Sequence, residues 1–296
     1  MNIVLRSYIY LHIAVFLFGF TGILGYVIDL PAITLVWWRS LLTWLMLLPY
    51  MFYTNGFKHI TKRSFAIFAG IGCIVALHWI SFYGSIKLAN SSVAMICLAT
   101  ISVMTVFCDA WFNKKSILWK DALIGIAIIP GILLIIQNIS TQYKLGFIMG
   151  LIAAAFSAIF ATLNKKFVQS LHSISITWIE LFAVWAFITL MLPFYYNINP
   201  EAKFLPNNSD LFYLIILSLF CTVISYVLVL KSLHHISAFS AMLTFNLETI
   251  YGIILSIVIL HEHRQMNAWF YFGVLLILLS VFLHPYLNKA RQKKSK

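Results

Sequence analysis

Charge is what this chain of 296 residues lacks, since charged residues make up 9% of it and hydrophobic residues 62%. A soluble domain carries roughly 25% charged residues, so a surface this poor in charge cannot be kept in water and must face lipid. Acidic residues are scarcer still, 8 against 20 Lys and Arg, for a formal net charge of +12. That balance could suit a nucleic-acid partner, but such a surface masses its basic residues on one solvated face. Here they are scattered through short gaps between apolar runs. Cysteine is sparse too: Cys73, Cys97, Cys108 and Cys221 all fall inside apolar stretches without metal-type spacing. This excludes both a disulfide framework and a zinc site. No small-residue cleavage site closes the first apolar run, which follows only Arg6, so it reads as a retained span rather than a signal peptide. No cofactor fingerprint is present either. Gly19, Gly22 and Gly25, like Gly146 and Gly150, follow no strand and read as small-residue helix packing.

What the chain does have is ten apolar runs, each close to the 20 or so residues that span a bilayer. They cover residues 8–28, 32–53, 64–86, 91–112, 119–136, 145–163, 173–196, 211–230, 237–260 and 267–286. The connections are short, Asp29-Leu30-Pro31 being a turn between helices. No room remains for a soluble domain. The second half also echoes the first. Trp37, Arg39 and Trp44 recur as Trp178, Glu180 and Trp185 at an offset of 141, and Ser81, Lys87, Thr100 and Thr105 recur as Ser225, Lys231, Thr244 and Thr249 at 144. The expected fold is therefore an all-α integral membrane protein of ten transmembrane helices in two five-helix repeats, residues 1–140 and 141–296, the second ending in a basic tail. Five spans per half turn the second copy upside down. Inverted repeats of this kind are the architecture of many secondary transporters.

Orientation follows from the basic residues. With the N terminus inside, fifteen of them fall on the cytoplasmic side, at Arg6, the connections holding Lys58, Lys62, Arg63, Lys114, Lys115, Lys120, Lys165, Lys166 and Lys231, and the tail from Lys289 to Lys296. Four fall opposite, at Lys87, Lys144, Lys203 and Arg264. Both termini are expected in the cytoplasm.

An ionised side chain at the centre of a spanning helix costs on the order of 2.5 to 3.5 kcal/mol on insertion scales, so buried charges need partners or a wet cavity. Arg39, Glu180 and Glu248 are the three to explain. Arg39 and Glu180 each lie about seven residues into their helices from opposite faces, roughly 10 Å deep at about 1.5 Å per residue. They are expected as a charge pair or substrate clamp at the repeat interface, against independent anchoring with Arg39 snorkelling outward. Glu248 lies near the midplane, some 16 Å deep at the same rise. Ser240, Thr244 and Glu248 follow at i, i+4 and i+8, giving one polar face that should line a cavity. His78, Ser81 and Ser85 form a second polar face in the third span, with Thr222 and Ser225 at equivalent places in the eighth. Trp37, Trp44 and Trp185 join the cavity candidates because they flank the buried charges. The rival class, a membrane-embedded enzyme acting on a lipid or peptide, rests on His261-Glu262-His263. Zinc-protease helices place two histidines four apart, whereas these are two apart at a helix end.

The residues also resemble a family. Phe245-Asn246-Leu247-Glu248-Thr249-Ile250-Tyr251-Gly252 through Leu260-His261-Glu262 resembles the ninth helix of EamA-type members of the drug/metabolite transporter superfamily, where a Leu-Glu-Pro-Val run leads to a Leu-Gly-Glu end. Ser85 through Ala94 resembles that family's short third-to-fourth connection, and Arg39 its second-helix arginine. Thr249 stands where proline is usual, and His261 where glycine is. The resemblance implies a carrier of small organic metabolites, amino acids or related compounds, moved outward by alternating access across a bacterial plasma (inner) membrane. It implies a solute and the lipid bilayer as partners and no cofactor, metal or catalytic residue. Proton coupling and a homodimer stay open.

Overall fold

The computed structural model describes residues 3–279 apart from 115 and 118, with side chains at all of these except 119–126, 128, 238–240, 242 and 243. Among the described residues seven helical stretches are long and apolar enough to cross a membrane, and three shorter apolar stretches, Ile129–Asn138, Thr244–Leu260 and Ala268–Leu279, accompany them. In chain order the helices are α1 (Ile3–Gly19), α2 (Thr21–Val27), α3 (Ala32–Tyr53), α4 (Lys62–Leu88), α5 (Ser91–Leu98), α6 (Ile101–Asn113), α7 (Trp119–Asn138), α8 (Lys144–Phe167), α9 (Ser173–Ile198), α10 (Asn208–Ser218), α11 (Ser225–Leu233) and α12 (Ala238–Leu260). The last, α13, is Ala268–Leu279. Of the expected tenth span, only this part is described. The tail basic residues and Lys115 lie outside the described residues, as do the side chains of Ser240 and Lys120.

Polar residues in the connections set where helices begin. The Thr61 hydroxyl accepts from the Ser64 N–H, and the Ser64 hydroxyl accepts from the Thr61 N–H. Asn207 and Asp210 cap each other at the start of α10 in the same way. Asn90 caps α5 through the Val93 N–H at 2.9 Å. Each cap satisfies first-turn donors that have no intrahelical partner.

Three expected spans are not single α-helices. The first breaks at Phe20 between α1 and α2, and the fourth at Ala99 and Thr100 between α5 and α6. The eighth carries a π-helical segment, Leu219–Ile224, between α10 and α11. There the Thr222 hydroxyl donates to the Leu217 carbonyl and the Ser225 hydroxyl to the Phe220 carbonyl, each at 2.8 Å and each reaching back five residues. Such insertions widen one turn and change which backbone groups are free.

The two halves interleave. Helix α3 packs on α9, α4 on α8 and α9, α1 on α11 and α12, and α5 on α12. Small residues allow the closest approaches: a Cβ at Gly72 of α4 would stand 2.5 Å from the Glu180 carbonyl oxygen of α9. In lipid, such backbone proximity supplies the van der Waals packing that holds helices together.

Candidate functional site

Arg39 is 2% exposed, yet among the described residues no carboxylate touches it. Its Nε–H donates to the Thr222 hydroxyl at 2.8 Å, Nη1 to the Tyr83 hydroxyl at 2.6 Å and Nη2 to the Cys221 carbonyl at 3.2 Å. The guanidinium carbon stands 4.0 Å from the Trp79 ring centroid. Two of these partners, Cys221 and Thr222, belong to the π segment. Hydrogen bonds to a charged group contribute about 1.5 to 3 kcal/mol each, and a desolvated cation over an indole face adds ~2 kcal/mol. Together they offset an insertion cost of roughly 3 kcal/mol without a counterion. A guanidinium has five N–H donors, so up to two remain for a ligand.

Arg39 lines one cavity together with His78, Glu248, Trp79, Phe82 and Phe160. The two charged residues come from different halves of the chain, α3 and α12. Glu248 is 8% exposed, and Arg39 acts on it electrostatically without a direct ion pair. His78 donates Nδ1–H to the Ala153 carbonyl at 2.8 Å, because a carbonyl only accepts, and this leaves Nε2 as an acceptor. The cavity offers about 70 Å3 of room for water-sized groups, enough for a handful of waters at roughly 10–15 Å3 each. Its wall reaches Asn164 in the last turn of α8 and Leu233 at the end of α11. The cavity therefore runs toward the face that carries the N terminus.

Glu180 stands behind this wall. It is fully buried, accepting from the Tyr226 hydroxyl and from Asn164 Nδ2 at 3.4 Å. Both donors line the cavity. The expected pairing of Arg39 with Glu180 is corrected by this arrangement: similar depth did not bring the two side chains together, and each has its own neutral partners. Trp37, Trp44 and Trp185 are not on the cavity wall either. They form a layer between α3 and α9, with Trp44 and Trp185 stacked at 5.7 Å and 7° and Trp37 6.3 Å from Trp185. Trp37 also donates Nε1–H to the Thr189 hydroxyl at 2.9 Å. The repeat equivalents Trp44 and Trp185 meet because α3 packs directly on α9. Ser81, Ser225 and Thr244 are likewise absent from the wall. Ser225 is spent on the π segment's own backbone.

Sequence reasoning missed Tyr83 and Trp79 as the cradle of Arg39. They lie four apart on α4, an i, i+4 aromatic pair that shares one helix face. Asn164 and Tyr226 were missed as well, and a lone Asn near the end of an apolar helix was the available signal.

The opposite face is closed by polar contacts across the two halves. Glu262, fully buried, accepts from the Ser91 N–H at 2.9 Å and the Ser92 N–H at 2.8 Å, capping α5. Each of its oxygens thus serves as a capping acceptor for α5. Asn90 donates to Gln265 at 3.1 Å beside this cap. Lys203 bridges Asp29 at 3.1 Å and Asp210 at 3.0 Å, and these partners hold the Lys203 ammonium above its ordinary range.

A bundle of apolar helices with broken spans, small-residue crossings and buried charges around a shared cavity has the features of a polytopic membrane transporter fold. The sequence profile of the EamA-like transporter family matches residues 5–137 and 144–284, so two copies cover nearly the whole chain. The chain belongs to the EamA-like transporter family, and it is an integral membrane protein. A solved structure described only as a crystal structure of a protein is 11% identical and covers 97% of this chain and 98% of its own, with a TM-score of 0.66. At that identity the likeness shows the fold alone. No curated protein matches the sequence.

Proposed function

We propose that this protein is a secondary transporter exporting small organic metabolites, amino acids or related compounds, by alternating access between two inverted five-helix repeats. The observation that carries the reading is the shared cavity of Arg39 and Glu248. Arg39 is fixed by neutral groups, so its charge stays available to a solute carboxylate, while Glu248 from the other repeat offers an acceptor to an ammonium or hydroxyl. Between them, Trp79, Phe82 and Phe160 suit an apolar side chain. Drug-sized ligands occupy roughly 300–1,000 Å3, so a metabolite requires the bundles to part.

The closed face of Glu262, Lys203 and Asp210 and the cavity's course toward the N-terminal face support a state open to one side. With the basic residues on that side, it is the cytoplasm, and the membrane is the bacterial inner membrane. Export then begins with solute entry from the cytoplasm. Purified protein in liposomes, assayed by counterflow against a panel of amino acids and related metabolites, tests the reading. Saturable uptake that disappears in Arg39→Gln is expected. Absence of flux for every zwitterion and carboxylate on the panel would overturn it.

A further inference from the structure

A second cavity, of about 540 Å3, opens at the end of the molecule that carries the N terminus. Its chemistry is unlike that of the first. Arg6, His172, Lys231, His234 and His235 line it, and among the described residues no Asp or Glu does. They arrive from three elements: Arg6 from α1, His172 from the start of α9, and the other three from the end of α11 and the residues after it. The fourth wall, at Thr54 and Gly56 after α3, carries no charge. Five basic side chains thus converge in a protein with only 8 acidic residues.

The donors are largely unspent. Lys231 is exposed, and its side chain has no hydrogen-bond or ion-pair partner among the described residues. Arg6 uses one N–H, from Nε, on the Tyr10 hydroxyl, leaving four of its five. His172 is the N-cap of α9 but its side chain makes no capping bond. The first-turn N–H groups at Ser173, Ile174 and Ser175 therefore lack an intrahelical acceptor, and all three residues line the cavity. The start of a helix of 26 residues also brings its positive dipole end to the same space. Like charges gathered without a counterion repel one another and favour a bound anion.

We propose that this pocket binds a phosphate-class dianion or monoanion, either free in solution or as the headgroup of an anionic lipid. Arg6 and Lys231 supply the cationic side chains, the α9 N terminus the directed N–H groups, and the histidines further ring N–H donors. His234 is held below the ordinary imidazole range by burial, then by His235, Lys165 and His172, and it hydrogen-bonds Gln169 at 3.2 Å. His59 lies against His172, ring centroids 6.3 Å apart. An anion among these imidazoles favours their protonated forms, so binding takes up protons and tightens as pH falls. The site is separate from Arg39 and Glu248, and its test does not depend on transport.

The purified full chain in a neutral maltoside detergent is titrated with inorganic phosphate and with short-chain phosphatidylglycerol, phosphatidylcholine serving as zwitterionic control, at matched ionic strength. Sulfate, whose charge does not change between pH 6 and pH 8, is the probe for the pH series. Phosphate or phosphatidylglycerol is expected to raise the melting temperature above that in matched chloride. Sulfate should bind several-fold tighter at pH 6 than at pH 8, a comparison that needs no variant. Arg6→Gln/Lys231→Gln should weaken anion binding at least tenfold. Phosphatidylglycerol binding tenfold tighter than phosphate identifies a lipid headgroup as occupant; comparable binding identifies a soluble anion. No stabilisation by either anion, or equal binding by wild type and the Arg6/Lys231 double variant, overturns the proposal.

Discussion

The Glu262 carboxylate accepts the Ser91 backbone N–H at 2.9 Å across 171 residues of sequence. It ties the end of α12 to the start of α5, and its other oxygen takes the Ser92 N–H at 2.8 Å. The two stretches joined are the same two whose sequences resemble EamA-type transporters. Their resemblance thus has a physical basis, since an acidic residue after α12 answers the unpaired donors of α5.

Losing this cap should destabilise the protein. Glu262→Ala leaves two buried N–H groups without acceptors, at about 1 to 3 kcal/mol each, whereas Glu262→Gln keeps one good acceptor. Thermal unfolding in detergent should rank wild type above Gln and Gln above Ala. Equal melting temperatures for all three would remove the cap from the stability of the fold.

His261 occupies the left-handed region, at φ 54° and ψ 31°, where the family usually has glycine. That conformation costs an L-residue roughly 1–2 kcal/mol, and the extra chain freedom of glycine returns ~0.5–1 kcal/mol of that. His261→Gly should therefore stabilise by about 0.5–1 kcal/mol by this difference. His261→Val should destabilise, and a melt in which valine is the better residue would refute the backbone argument.

Arg39 and Glu180 share no partner, so a double-mutant cycle on flux or stability should be additive within ~0.5 kcal/mol. Arg39 and Glu248 share a cavity and interact electrostatically; their cycle should deviate by more than that. The reverse pattern would restore the pairing expected from depth.

For Glu248 itself, Gln preserves shape and hydrogen bonding but cannot titrate, and Leu removes both. Glu248→Gln should insert and fold normally yet lose flux or its pH dependence, with Glu248→Leu losing flux entirely. Wild-type flux with an unaltered pH profile in the Gln variant would reduce Glu248 to a helix-packing group.

Topology is open to a direct test. In a variant lacking Cys73, Cys97, Cys108 and Cys221, Ser170→Cys and Glu201→Cys present exposed thiols in connections at opposite ends of α9. An impermeant thiol reagent applied to intact cells should label the cysteine at 201 and spare the one at 170. Labelling at 170 alone would invert the orientation derived from the basic residues.

Most of the architecture was legible because it follows from local rules. Runs of about 20 apolar residues are spans whatever they pack against, and the spacing shared by Trp37, Arg39 and Trp44 with Trp178, Glu180 and Trp185 exposes the repeat without any contact. Depth along a helix is equally local, so Arg39, His78 and Glu248 stood out as costly residues, and the fold places all three on one cavity.

Lateral proximity is different. It depends on which helix turns which face toward which neighbour, and 3.6-residue periodicity in lipid carries little of that information, because most faces of such a helix are apolar and a polar one does not name its partner. Arg39 and Glu180 have matched depths and still lie with different partners. The three tryptophans flank buried charges in sequence and yet stack between α3 and α9. Even the Arg39 cradle required a π segment at Leu219–Ile224 that no apolar count reveals. The sequence by itself determined that this chain lives in a membrane, in two related halves with charges at its centre. Only tertiary packing decided which of those charges share a cavity, because helix rotation and backbone insertions select neighbours that hydropathy cannot distinguish.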